Sequence, residues 1–158
     1  LYARAKELGC NKIALGHHKS DVIETTLMSM LFGGQIQGMM PKIRSTNFEG
    51  MQLIRPLYCV LEDDIIHWQQ YNNLTFIACA CKLTAGLAPG QQGQSARQDV
   101  KKLIKDFRAR NPDVDASVFK ALHNVQLDTL PAFKYKGAYY GFNEKYDHPL
   151  SIDFTADD

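Results

Sequence analysis

Apolar positions in this chain come as short runs and as helical stripes. Ile13-Ala14-Leu15 is a brief apolar run, which predicts a short buried strand over Lys12–Gly16. A helix over residues 1–8, stopped at Gly9, precedes it. Ile23, Leu27, Met30 and Leu31 then recur at i, i+4, i+7 and i+8, one face of a second helix. Ser20 is the expected N-cap of that helix and Gly33-Gly34 its end.

Residues 35–50 have no period and carry turn signals at Pro41 and from Asn47 to Gly50, so they are expected to be irregular. Gln52–Tyr58 alternates weakly around Pro56 and reads as a strand that lies at an edge or ends there. Glu62-Asp63-Asp64, ahead of Ile65, Ile66 and Trp68, place carboxylates where a helix N-terminus favours them. Leu74–Ala78 is a further strand candidate that runs into Cys79-Ala80-Cys81. Strands alternating with helices predict an α/β fold, a doubly wound, mostly parallel Rossmann-like sheet.

The texture changes after Thr84. Residues 85–96 read as a flexible linker rich in Gly and Gln. Arg97–Arg110 is an amphipathic helix with Val100, Leu103, Ile104 and Phe107 on one face, stopped by Asn111-Pro112. Asp115 is the expected cap of a helix bearing Val118, Phe119, Leu122 and Val125. Lys136–Phe142 has hairpin or extended character. The expected organisation is an α/β part over 1–84, the linker, and a helical C-terminal extension over 97–158 with an acidic tail.

A length of 158 residues allows one sizeable core, and a net charge of +1 provides no global field toward nucleic acid or membrane. No apolar run approaches a membrane span and no export signal is visible. Four cysteines, Cys10, Cys59, Cys79 and Cys81, are therefore expected as reduced thiols or metal ligands in a cytoplasmic protein. Cys10 and Cys59 are isolated and read as core residues. The chain opens on Leu1 inside a helical segment, so it is expected to continue a longer sequence upstream.

The densest chemistry lies in Gly16-His17-His18-Lys19-Ser20-Asp21-Val22-Ile23-Glu24-Thr25, at the strand-to-helix junction where open α/β sheets build ligand sites. Gly16 admits close approach of a ligand to the backbone, and the histidines donate, accept or titrate near neutrality. Asp21 and Glu24, three apart on a helix, face the same side. On spacing alone two readings stand. The carboxylate positions a metal or a reacting group, or Asp21 merely complements the helix dipole beside surface histidines.

The same stretch, followed by Gly33-Gly34, Met40-Pro41-Lys42 and Ile54-Arg55-Pro56-Leu57, resembles the second half of the PP-loop ATPases. Among these it is similar to the tRNA sulfurtransferases that form 2-thiocytidine, in order over roughly residues 1–84. The resemblance implies that ATP adenylates a base carbonyl oxygen and that sulfur then displaces AMP. It implies Gly16, His17 and His18 at the nucleotide, His17 and Asp21 as catalytic groups, Mg²⁺ at Asp21, and Arg55 as a cation for phosphate or RNA. A tRNA, a sulfur donor protein or sulfide, and homodimer assembly are the implied partners.

In that family a Cys-x-x-Cys pair upstream joins a later cysteine around an iron–sulfur cluster, a [4Fe-4S] group. Cys81, with Cys79, matches the later position, but the upstream pair is absent from these residues. The family's Ser-Gly-Gly-x-Asp-Ser phosphate loop is absent from them too. The chain taken alone is thus expected to bind ATP poorly and to catalyse nothing. Two other functions remain open at this point. One is a PP-loop relative with another substrate, such as an adenylyl sulfate reductase or an amide-forming ligase; the other is a non-catalytic nucleotide- or RNA-binding module.

Overall fold

The computed structural model describes residues 1–75 and 96–147. They fall into two compact units, Leu1–Leu122 and His123–Asp158. In the first, helix α1 (Tyr2–Glu7) ends ahead of Gly9, whose φ of +69° turns the chain toward β1 (Lys12–Ala14). Helix α2 (Lys19–Leu31) follows, then β2 (Lys42–Arg44), β3 (Gln52–Ile54) and α3 (Glu62–Tyr71). Helices α4 (Ala96–Arg108) and α5 (Val114–Ala121) complete the unit.

The sheet has the order β1-β3-β2. β1 runs parallel to β3 in the register Lys12↔Gln52, Ile13↔Leu53, Ala14↔Ile54, and β2 runs antiparallel to β3. The architecture is α/β, with one parallel and one antiparallel pairing in this sheet among the described residues. β3 lies between two partners rather than at an edge, and it ends before Pro56, which has no N–H to give a ladder. β2 corrects the expectation of an irregular 35–50 segment. All three of its residues are exposed, so backbone pairing with β3, not a buried face, makes it a strand.

The principal core is helical. Ile23, Val100 and Ile104 are buried together, with Leu27, Met28, Val118 and Phe119 packed around them. The stripe expected on α2 therefore reaches Leu27 but not Met30 and Leu31, which are 46% and 58% exposed. The helix ends at Leu31, two residues before Gly33, where a Cβ would fall 2.9 Å from the Ser29 carbonyl oxygen. The α4 helix, expected to open a separate extension, lies instead in the same compact unit and packs its Val100 and Ile104 against α2.

Two capping expectations change. His18, not Ser20, is the N-cap of α2. Ser20 Oγ accepts a hydrogen bond of 3.1 Å from the Glu62 N–H, so it caps α3 across 42 positions of sequence. Asp115 lies within the first turn of α5 behind the N-cap Asp113, and its buried carboxylate takes the fork of Arg108 at 2.5 and 3.0 Å.

The second unit contains a 3₁₀ turn (Leu127–Thr129), the hairpin β4 (Phe133–Tyr135) and β5 (Ala138–Tyr140), and the short helix α6 (Phe142–Asp147). Lys136 and Gly137, at φ +46° and +82°, form the turn that matches strand twist, as the hairpin reading expected. Phe133 and Tyr140 stack across it at 5.1 Å. The strand expected at Leu74–Ala78 has only its first two residues among those described, and these are not in a strand. The expected linker up to Ser95, Cys79, Cys81 and the acidic tail lie outside the described residues.

Candidate functional site

Because β1 and β3 are parallel, the segments that follow them leave the sheet at the same end, where open α/β folds bind ligands. The Leu15 N–H donates to the Ile54 carbonyl at 2.9 Å, carrying the pairing one residue past β1. Gly16–His18 follow on one side and Arg55 on the other. A Cβ at Gly16 would meet nothing within 4 Å, so the space beside its backbone is open. His17 is half-buried, with Nδ1 buried and without a hydrogen-bond partner among the described residues.

Arg55 is also half-buried. Its N–H donates to the Pro41 carbonyl at 2.9 Å, and its Nη1 donates to the Met40 carbonyl. Its Nε, like His17 Nδ1, is buried and unpartnered among the described residues. Two nitrogens withdrawn from water at one sheet end are a costly arrangement unless something charged or polar meets them.

The start of α2 is built by a reciprocal cap. The His18 N–H donates to Asp21 Oδ2 at 3.0 Å, and His18 Nδ1 accepts from the Asp21 N–H at 3.3 Å. Asp21 Oδ1 takes Arg97 Nη1 of α4 at 3.1 Å. Both carboxylate oxygens of Asp21 therefore have donors, and Arg97 sets a positive charge beside them. Among the described residues no group of three His, Cys, Asp or Glu is arranged to hold a metal ion. Cys10 and Cys59, expected in the core, are exposed free thiols.

Sequence reasoning missed the partners of this helix face. Glu24 is 3% exposed, and Lys101 Nζ lies 3.6 Å from Oε1 and Arg97 Nε 3.7 Å from Oε2. Lys101 also reaches Glu62 at 3.1 Å, while Arg108 joins Asp63 at 3.1 Å to Asp115. An open cleft of about 290 Å³ lies along this row, lined by Ser20, Glu24, Glu62, Lys101 and Arg108. Cations at 97, 101 and 108 recur at helical spacing, as do the carboxylates at 21 and 24, but spacing does not name their partners. Arg97, Lys101 and Arg108 meet acids of their own chain.

Burial pushes the Glu24 carboxyl above its ordinary value of 4.5, against the pull of Lys101 and Arg97 and with the push of Asp21 and Glu62. Burial pushes the Lys101 ammonium down, but hydrogen bonding to Glu62 and the charge of Glu24 outweigh it and leave the group above its ordinary value. A carboxyl that binds its proton more tightly when folded contributes stability fully below pH 4.5 and loses it as pH rises through the raised value. The stability of the natural chain minus that of Glu24→Gln should therefore fall as pH rises above 4.5, measured by urea unfolding. A difference independent of pH contradicts this assignment.

Among the described residues no helix is long and apolar enough to cross a membrane. The PP-loop domain family model matches residues 1–81. A tRNA-cytidine(32) 2-sulfurtransferase of Neisseria gonorrhoeae is 37% identical over 157 residues, 97% of this chain and 46% of that protein. One from Vibrio cholerae is 40% identical over 134 residues, 84% of this chain and 40% of that protein. The chain thus spans about half the length of the curated relatives it matches. A solved structure, the U34-tRNA thiolase NcsA from Methanococcus maripaludis with its [4Fe-4S] cluster, superposes with a TM-score of 0.55 at 18% identity. The match covers 78% of this chain and 39% of that one, and it is a likeness of fold. The chain belongs to the PP-loop family.

Proposed function

We propose that this chain supplies part of the ATP site of a tRNA sulfurtransferase that replaces a base oxygen by sulfur, with cytidine as the base. The observation that carries the reading is the pair of buried, unpartnered nitrogens, His17 Nδ1 and Arg55 Nε, at the end where β1 and β3 finish together. Arg55 Nε meets an anionic group such as a phosphate, and His17 Nδ1 meets a polar atom of the nucleotide. The open space beside Gly16 admits the nucleotide against the backbone. His18 shapes the entry by capping α2.

ATP supplies the leaving group, since an adenylated base oxygen departs as AMP when sulfur takes its place. In this reading Asp21 lies beside the reacting centre, and His17 is the neighbouring group able to hold or move a proton. Mg²⁺ belongs to this reading, with Asp21 as the residue that would hold it through the lone pairs left beside its His18 and Arg97 contacts, and no step is assigned to it. The thiolates of Cys79 and Cys81 are assigned to an iron–sulfur cluster, whose remaining ligands must come from elsewhere. The reading requires a tRNA and a donor protein or sulfide as sulfur source. A cytoplasmic location and homodimer assembly belong to it.

The test uses the protein with whatever flanking sequence its gene encodes, prepared without oxygen and incubated with ATP, tRNA and sulfide. AMP release and 2-thiocytidine in the tRNA, counted by mass spectrometry, are expected in equal amounts. Thiolation without ATP consumption, or ATP binding without thiolation, overturns the assignment, and the second result favours the binding-module alternative.

A further inference from the structure

We infer that Arg97 is a positioning residue of the nucleotide site, one guanidinium on α4 that bridges Asp21 and Glu24 and fixes where the Asp21 carboxylate points. The inference rests on the function proposed above. Its geometry stands independently. Asp21 Oδ2 is held by the His18 N–H at 3.0 Å and Oδ1 by Arg97 Nη1 at 3.1 Å, so donors from two distant segments fix the side chain. The cap alone would leave the second oxygen undirected.

Arg97 is built for this task in a way lysine is not. Its planar fork presents several donors at fixed angles, and it meets Asp21 through Nη1 while Nε lies 3.7 Å from Glu24 Oε2. The two carboxylates lie on one face of α2 and are 15% and 4% exposed at the side chain, so water screens their mutual repulsion poorly. Lys101 Nζ is 3.6 Å from Glu24 but also bound to Glu62, whereas Arg97 spans Asp21 and Glu24 together. At 44% side-chain exposure Arg97 is worth little as a surface ion pair, so its weight falls on orientation.

Substrate-free and kinetic measurements test this together. Arg97→Met should lower kcat for tRNA thiolation by about tenfold to a hundredfold with little change in KM for ATP, as expected when a reacting group is misplaced while ATP binding is kept. Arg97→Lys should recover part of the loss. Asp21→Asn combined with Arg97→Met should be no slower than Asp21→Asn alone, because Arg97 acts through Asp21. Additive losses, or a rise in KM with unchanged kcat, overturn the inference. A natural protein without thiolation activity defeats the functional reading instead. In that case amide exchange at His18 and Asp21, without substrate, still decides the bridge: it should quicken in Arg97→Met, and unchanged exchange overturns it.

Discussion

Ile23→Ala is expected to lower the free energy of unfolding by about 2–4 kcal/mol. Ile23 has no exposure and lies with Val100 and Ile104 at the junction of α2, α4 and α5, so truncation leaves a void with few ways to close. The loss combines the transfer of the deleted methyl groups with the cavity they leave. Urea unfolding should show a lower midpoint at an unchanged slope, the sign of a stability change without a change in exposed surface. Val100→Ala should act similarly, and the double variant should depart from additivity because the two side chains share one cavity. An Ile23→Ala midpoint equal to that of the natural chain would mean that α4 does not pack on α2 in solution.

Asp21 separates two roles that one substitution would confuse. Asp21→Ala removes the carboxylate that accepts the His18 N–H and unpairs Arg97, so it should loosen the first turn of α2 by about 1 kcal/mol and also stop thiolation. Asp21→Asn keeps an oxygen for the His18 N–H, while its NH2 group, a donor, faces Arg97 in place of the accepting Oδ1, so the charge and the Arg97 contact are lost together. It should hold stability within about 1 kcal/mol of the natural chain while thiolation falls on the order of a hundredfold. The comparison is read from urea midpoints beside single-turnover AMP formation. An asparagine variant that turns over at the natural rate would reduce Asp21 to its capping duty.

Legibility in the sequence followed burial. The stripes around Ile23 and on α4 were visible because apolar residues at helical spacing must find a partner surface, and they found each other. Lys42-Ile43-Arg44 carried no such mark, since exposed residues made β2 a strand through backbone bonds that composition does not encode. Ser20 was seen as a cap but assigned to the wrong helix, because its partner Glu62 is distant in sequence and near only after folding. At the site, the run from Gly16 to Asp21 was legible as chemistry. Which groups meet Asp21 and Glu24 was not, because a basic helix face looks alike whether its partners are water, RNA or carboxylates of the same chain.

Arg97, Lys101 and Arg108 already face acids of this chain. A polyanion that recruits them gains no net neutralisation, since each new phosphate contact breaks an existing pair. Counterion release from nucleic acid therefore draws on fewer cations than the sequence contains. Each contact of this kind that fails to form removes roughly 0.7–0.9 from the slope of log affinity against log salt. Under the proposed function, binding of tRNA should accordingly weaken with ionic strength by about two to three slope units less than a count of α4 cations suggests.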